Sequence, residues 1–163
     1  MGRVEWGKTD GGWFGAVGEG VSVKSCLEAD WKARTLALRD YVEKNGFPGV
    51  VLGLSGGIDS ALSAAIAVDA LGPDKVRCIM MPSPYTSQES LEDAAGCAEM
   101  LGVQYETISI GPAMAAFDEM LSDAFAGTEP GITEENIQSR SRGLTLMALS
   151  NKFGHMVLST GNK

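Results

Sequence analysis

The sequence predicts an α/β domain, a parallel sheet of about four strands with helices on both faces. Short apolar runs near 49–54, 76–81, 104–110 and 156–160 read as strands. Segments with apolar residues at helical spacing separate them, and such alternation implies crossover connections and a parallel sheet. The first run leads directly into Ser55-Gly56-Gly57-Ile58-Asp59-Ser60, a tight turn ahead of an alanine-rich helix.

Residues Met1 to Ser25 carry seven glycines with Trp6, Trp13 and Phe14 scattered among them. Neither a helical nor a strand period is visible there, so 1–26 reads as a glycine-rich leader or linker and 27–163 as the domain. From Leu27 to Asn45 the apolar positions Leu27, Trp31, Leu38 and Val42 suit a helix that Gly46 stops. The helix after Ser60 is apolar nearly all round, which predicts a place sandwiched against the sheet. Pro82 to Ser87 reads as a loop, with Thr86 and Glu89 as a capping box for the next helix. That helix presents Leu91, Ala94, Ala95, Ala98 and Leu101 on one face and closes at Gly102. Pro112 opens a further helix reaching Gly127, and Thr133 caps a long one ending at Gly154.

Composition narrows the functional classes. Hydrophobic residues make up 44% and charged residues 21% of the 163 residues, as in ordinary globular domains. A net charge of −8 argues against a broad surface for nucleic acid or anionic membrane. No apolar run reaches membrane-spanning length, and the start lacks the apolar core of a secretion signal. Cys26, Cys78 and Cys97 form no Cys-x-x-Cys and read as buried, reduced thiols of a cytoplasmic protein. The single histidine, His155, cannot build a metal cluster alone and reads as structural.

The glycine turn is where chemistry is expected. A strand-turn-helix aims free backbone N–H groups and the positive end of a helix dipole at one point, which favours an anion. Gly56 and Gly57 permit close backbone approach, Ser55 and Ser60 bring hydroxyls, and Asp59 brings a carboxylate able to hold Mg²⁺ against phosphate oxygens. There is no lysine in the turn and no G-x-G-x-x-G after the strand, which excludes two common phosphate loops. In parallel sheets ligands sit beyond the carboxyl ends of the strands, where strand order reverses. The turn, Pro82–Gln88 and Ser159–Lys163 all lie at such ends.

The run Ser55–Ser60 resembles the SGGxDS loop of the ATP pyrophosphatase (PP-loop) families, whose domains have a Rossmann-like fold. Residues from about Arg39 to Lys163 resemble, more narrowly, the synthetase domain of NAD synthetases, chiefly of the glutamine-dependent kind. That resemblance rests on Asn45-Gly46-Phe47-Pro48-Gly49-Val50, Gly53–Ser60, Met81-Pro82-Ser83-Pro84-Tyr85, the run Thr133–Gly143 and Ser159-Thr160-Gly161-Asn162-Lys163. It implies a ligase that amidates deamido-NAD. ATP adenylates the nicotinate carboxylate, pyrophosphate leaves, and ammonia displaces AMP. By this resemblance Gly53, Leu54, Ser55, Gly56, Gly57, Ile58, Asp59 and Ser60 hold ATP, with Met81, Gln88 and Thr160 beside the nucleotide. Ser55, Asp59 and Ser60 are the candidate catalytic residues, and Asp59 the candidate Mg²⁺ ligand.

Asn136 and Arg140, spaced i and i+4 on one helix face, are implied to meet deamido-NAD. Spacing alone favours Arg140 as a solvated residue paired with Glu134 or Glu135; the motif around it favours the ligand contact. Gly143 thins the same face, and Arg142, about 200° further round by the ~100° helical period, is expected at the surface or an interface. The family's acidic residue after Thr-Gly-Asn-Lys and its glutaminase domain are not among these residues. The chain is therefore expected to be part of a synthetase domain, weakly ATP-binding and poorly active alone, with self-association implied by resemblance. Another PP-loop adenylating amidotransferase or thiolase, or a catalytically silent ATP-binding or dimerisation fragment, are the alternative readings.

Overall fold

The computed structural model describes residues 4–17 and 26–160. The chain divides into two units, Met1–Ala33 and Arg34–Lys163. Within the first, β1 (Val4–Thr9) and β2 (Gly12–Val17) pair antiparallel, Val4 opposite Val17 and Thr9 opposite Gly12. The expectation of a leader without strands is thus corrected over these residues; its remainder, 1–3 and 18–25, lies outside the described residues. The missed signal was Asp10-Gly11, a dipeptide favoured in two-residue hairpin turns.

Helix α1 (Leu27–Lys44) begins in the first unit and continues into the second. There follow β3 (Val50–Gly53), α2 (Ile58–Leu71), β4 (Val76–Met80), α3 (Gln88–Leu101), β5 (Gln104–Thr107), α4 (Gly111–Leu121), α5 (Ile132–Phe153) and β6 (Met156–Val157). The four strands β3 to β6 form one parallel sheet in the order β5-β4-β3-β6, as the alternation predicted. The order reverses at β3: the chain leaves it toward β4 on one side and returns to its other side as β6. That is the switch point, where ligands of such sheets sit.

Alternation along β3 distributes the core between two layers. Val50, Leu52 and Leu54 face one side and pack with Ala64 and Ala67 of α2 and Ala94 of α3. Val51 faces the other, with Ile79, Ile110 and Met114 and, half-buried, Leu146 and Leu149 of α5. Each fully buried Val, Leu or Ile stabilises the fold by about 1.5–3 kcal/mol. The sheet is therefore covered on both faces.

Helix α2 buries one face, Ser60, Ala64, Ala67 and Ala70, while Ile58 and Leu62 are exposed. It lies against the sheet as expected, Ala64 and Ala67 packing with Val50, Leu52 and Leu54, while its far face, with Leu62, is left to solvent. The N-cap of α3 is Ser87, whose hydroxyl accepts from the Ser90 amide, rather than Thr86, whose hydroxyl accepts from the Ser83 amide. Ala95 is exposed and leaves the predicted face. Helix α4 ends at Leu121, short of Phe125. Helix α5 is capped at Gly131, whose amide donates to the Glu134 carboxylate, and Thr133 lies inside it. Its other end is at Gly154, left-handed with φ 76°, as expected.

Candidate functional site

The turn after β3 is held by its own serines. The Ser60 hydroxyl donates to the Gly57 carbonyl at 2.8 Å and accepts from the Ser55 amide at 3.1 Å. The Ser55 hydroxyl accepts from the Gly57 amide at 3.3 Å. Ser60 is buried, so its hydroxyl fixes the turn rather than facing solvent. Gly56 has φ +84°, and a Cβ there would stand 2.4 Å from the Ser90 carbonyl oxygen. The turn thus packs directly on the first turn of α3, and only glycine fits. Beyond it, the amides of Ile58, Asp59 and Ser60 lie in the first turn of α2, where no helical carbonyl can accept them. They add to the positive pole of the 14-residue helix.

A cleft of about 870 Å³ opens at the carboxyl edge of the sheet. Gly53, Leu54 and Ser55 line it after β3, Met81 after β4, and Thr160 after β6. The three predicted segments therefore converge on one rim; Gly161, Asn162 and Lys163 lie outside the described residues. Gly56 to Ser60 continue from the rim as turn and helix start, with the Asp59 side chain exposed in that first helical turn.

Besides Gly56 to Ser60, three further predicted residues do not line the cleft. Gln88 is exposed and donates to Glu92 at 2.9 Å along α3; Ser87 and Ser90 line the cleft in its place. Asn136 and Arg140 are exposed, and an Arg140 Nη donates to the Asn136 carbonyl at 3.3 Å. Arg140 makes no ion pair with Glu134 or Glu135; the Gly131 amide, with that of Glu134 itself, instead holds the Glu134 carboxyl below its ordinary pKa.

The cleft wall on α5 is a different stripe, including Gln138, Arg142, Gly143 and Leu146. Arg142, expected at the surface or an interface, is half-buried in the cleft. Its Nε donates to the Met81 carbonyl at 3.1 Å, and burial lowers the guanidinium pKa from its ordinary value. Gln138 donates through Nε2 to the hydroxyl of buried Ser83. Two side chains of α5 thereby pin the loop after β4. The i, i+4 spacing of Gln138 and Arg142 was a signal for them, equal in strength to that of Asn136 and Arg140.

His155 stays away from the cleft; its carbonyl accepts from the Ser150 hydroxyl at 2.7 Å. Cys78 is buried, which pushes its thiol up to about 12, Cys97 is half-buried and Cys26 is exposed, correcting the expectation that all three are buried. Among the described residues no group of three His, Cys, Asp or Glu side chains could hold a metal, and no helix is long and apolar enough to cross a membrane.

A parallel sheet with a serine-glycine turn opening a helix at its switch point, beside a cleft of about 870 Å³, defines a Rossmann-like α/β domain. A model of the NAD synthase family matches residues 30–163. The chain belongs to the NAD synthase family. It is 53% identical over 160 residues to a glutamine-dependent NAD(+) synthetase of Rhodobacter capsulatus, covering 98% of this chain and 29% of that protein. Among solved structures it resembles the glutamine-dependent NAD+ synthetase of Acinetobacter baumannii in complex with ADP, with TM-score 0.84 and 50% identity, covering 91% of this chain and 28% of the other. It also resembles the NMN synthetase of Francisella tularensis, with TM-score 0.77 and 29% identity over 85% of this chain and 56% of the other. The chain thus spans less than a third of the glutamine-dependent relatives it matches.

Proposed function

We propose that this chain carries the ATP-binding part of an enzyme that amidates deamido-NAD to NAD. The observation that carries this is the serine-stapled turn opening α2 at the sheet's switch point, on the rim of the cleft. A carboxylate is a poor electrophile until one of its oxygens becomes a leaving group. In the proposed reaction a nicotinate carboxylate oxygen attacks the α-phosphorus of ATP, and the bond to the bridging oxygen breaks to release pyrophosphate. Ammonia then attacks the acyl carbon, AMP departs, and nitrogen loses a proton.

Charge builds on the departing pyrophosphate, and donors fixed beforehand stabilise it best. The first-turn amides of Ile58, Asp59 and Ser60 are such donors, oriented by the Ser60–Gly57 and Ser55–Gly57 hydrogen bonds. Ser55 acts at the phosphates and Ser60 behind them. The residues present fit Mg²⁺ of the kind that keeps several waters and takes most ligands from phosphate: one exposed carboxylate, Asp59, beside the anion site. When bound, the ion neutralises phosphate charge.

Gly53, Leu54, Met81 and Thr160 take the remainder of the nucleotide along the cleft. Asn136 and Arg140 meet deamido-NAD where it extends past the cleft, and Gln88, turned along α3, contributes at most at the periphery. Ammonia is supplied from glutamine by another domain, the assembly is a homo-oligomer in the cytoplasm, and neither nucleic acid nor membrane is a partner. The position of Asn136 and Arg140 off the cleft favours one second reading, an ATP-binding element without dinucleotide contacts of its own.

The test is calorimetric binding of ATP with Mg²⁺, followed by exchange of labelled pyrophosphate into ATP with deamido-NAD or nicotinate mononucleotide present. ATP binding with exchange specific to deamido-NAD supports the proposal. Binding without any exchange selects the second reading, and absence of ATP binding rejects both.

A further inference from the structure

Among the described residues lining the cleft, Arg142 carries the only formal charge at neutral pH. No described Asp, Glu or Lys shares the wall with it, in a chain whose net charge is −8. A half-buried cation on an acidic protein is costly to keep unless an anion meets it. Its neighbours give it no such anion. The Nε–H is taken by the Met81 carbonyl, and the two Nη groups have no acceptor among the described residues. The single hydrogen bond does something further: it tethers the guanidinium by its Nε edge and leaves the two Nη groups as a fork suited to two oxygens of one phosphate.

From this geometry we infer that Arg142 binds the α-phosphate of the nucleotide, the phosphate that receives the carboxylate. The inference rests on the ATP reading above. The amides opening α2 take the pyrophosphate end, and Met81 belongs to the wall proposed above to take the remainder of the nucleotide. A guanidinium tethered to the Met81 carbonyl lines the same cleft as Ser55, which enters the turn, so the group joining the two ends falls within its wall. Gly143, the next residue on α5, leaves open space where a side chain would begin, so the wall recedes next to the fork. The desolvation that lowers the Arg142 pKa strengthens its attraction for a phosphate in the same low-dielectric wall. The role is catalytic as well as binding, because charge at the α-phosphorus rises as the carboxylate adds.

The test compares AMP with adenosine, which differ by that one phosphate, on the full chain and its variants by calorimetry. The wild-type chain should bind AMP more tightly than adenosine. Arg142→Gln removes the charge while keeping an N–H donor for Met81, and should close the gap, a loss of about 10- to 100-fold for AMP with adenosine unchanged. Arg142→Lys, which keeps charge without the fork, should restore part of it. Inorganic pyrophosphate should bind all three alike. A gap that persists in Arg142→Gln overturns the inference. So does an equal loss for AMP and adenosine, which would reduce Arg142 to a brace for the Met81 loop. A wild-type chain that binds ATP, AMP and adenosine not at all overturns the ATP reading itself, and this inference with it.

Discussion

The hydroxyl oxygens of Ser55 and Ser60 face each other across the glycine turn at 3.1 Å. Ser60 is the inner of the two, with a relative exposure of 3% against an exposed Ser55. The two serines therefore differ in what their loss should do. Ser60→Ala leaves the Ser55 amide without its partner and the Gly57 carbonyl with the Ala61 amide alone, and should cost about 1–3 kcal/mol of stability. Ser55→Ala should cost less than about 1 kcal/mol while weakening nucleotide binding. Urea unfolding of the two variants, compared with ATP titration of each, separates these effects.

Gly56 and Gly143 make an opposed pair. Gly56→Ala places a Cβ against the Ser90 backbone in a left-handed conformation, and should destabilise by about 1–3 kcal/mol or more. Gly143→Ala meets nothing within 4 Å and sits inside α5, where alanine is favoured by about 0.8–1.0 kcal/mol. Its thermal midpoint should rise while affinity for ATP falls, since the new methyl group stands on the cleft wall.

Asp59 is exposed in the first turn of α2, where a carboxylate also suits the helix dipole. Asp59→Asn should cost only about 0.3–1 kcal/mol in unfolding. It should abolish the difference between ATP affinity measured with Mg²⁺ and with a chelator. An undiminished dependence on Mg²⁺ would remove Asp59 from the metal site.

The buried Cys78 thiol supplies a pH signature. Burial raises its folded pKa from 9.0 to about 12. Above pH 9 the unfolded chain loses this proton while the folded chain retains it, so the folded state binds more protons and stability falls as pH rises. The contribution is complete below pH 9 and is lost between 9 and 12, with a slope of at most about 1.4 kcal/mol per pH unit. Chemical denaturation at pH 8, 9.5 and 10.5 should show the decline, and Cys78→Ala should flatten it. At pH 8 an alkylating reagent should modify exposed Cys26 and spare Cys78.

The sheet and its switch point were legible because strand and helix periods are local, and because six consecutive residues spell the turn. The cleft wall on α5 was not. Helical spacing places Asn136 with Arg140, and Gln138 with Arg142, but the phase of the helix against the sheet is set by where Leu146 and Leu149 find the core. That packing turns Arg142 inward and leaves Arg140 outside. Capping failed for a related reason. Thr86 and Glu89 have the right spacing, yet the Thr86 hydroxyl is engaged by the Ser83 amide in folding the loop, and Ser87 takes the helix end. In the first unit, glycines and aromatics concealed strands whose Asp10-Gly11 connection was the better guide.

The contact between Gly56 and Ser90 joins two helix ends through backbone alone. Neither can drift without the other, so any ligand that tugs on the turn must also displace Ser87 to Ser90, where α3 starts and the cleft is lined. The turn and the Ser87–Ser90 lip of the cleft thus form one seam, with no intervening side chain to absorb a displacement.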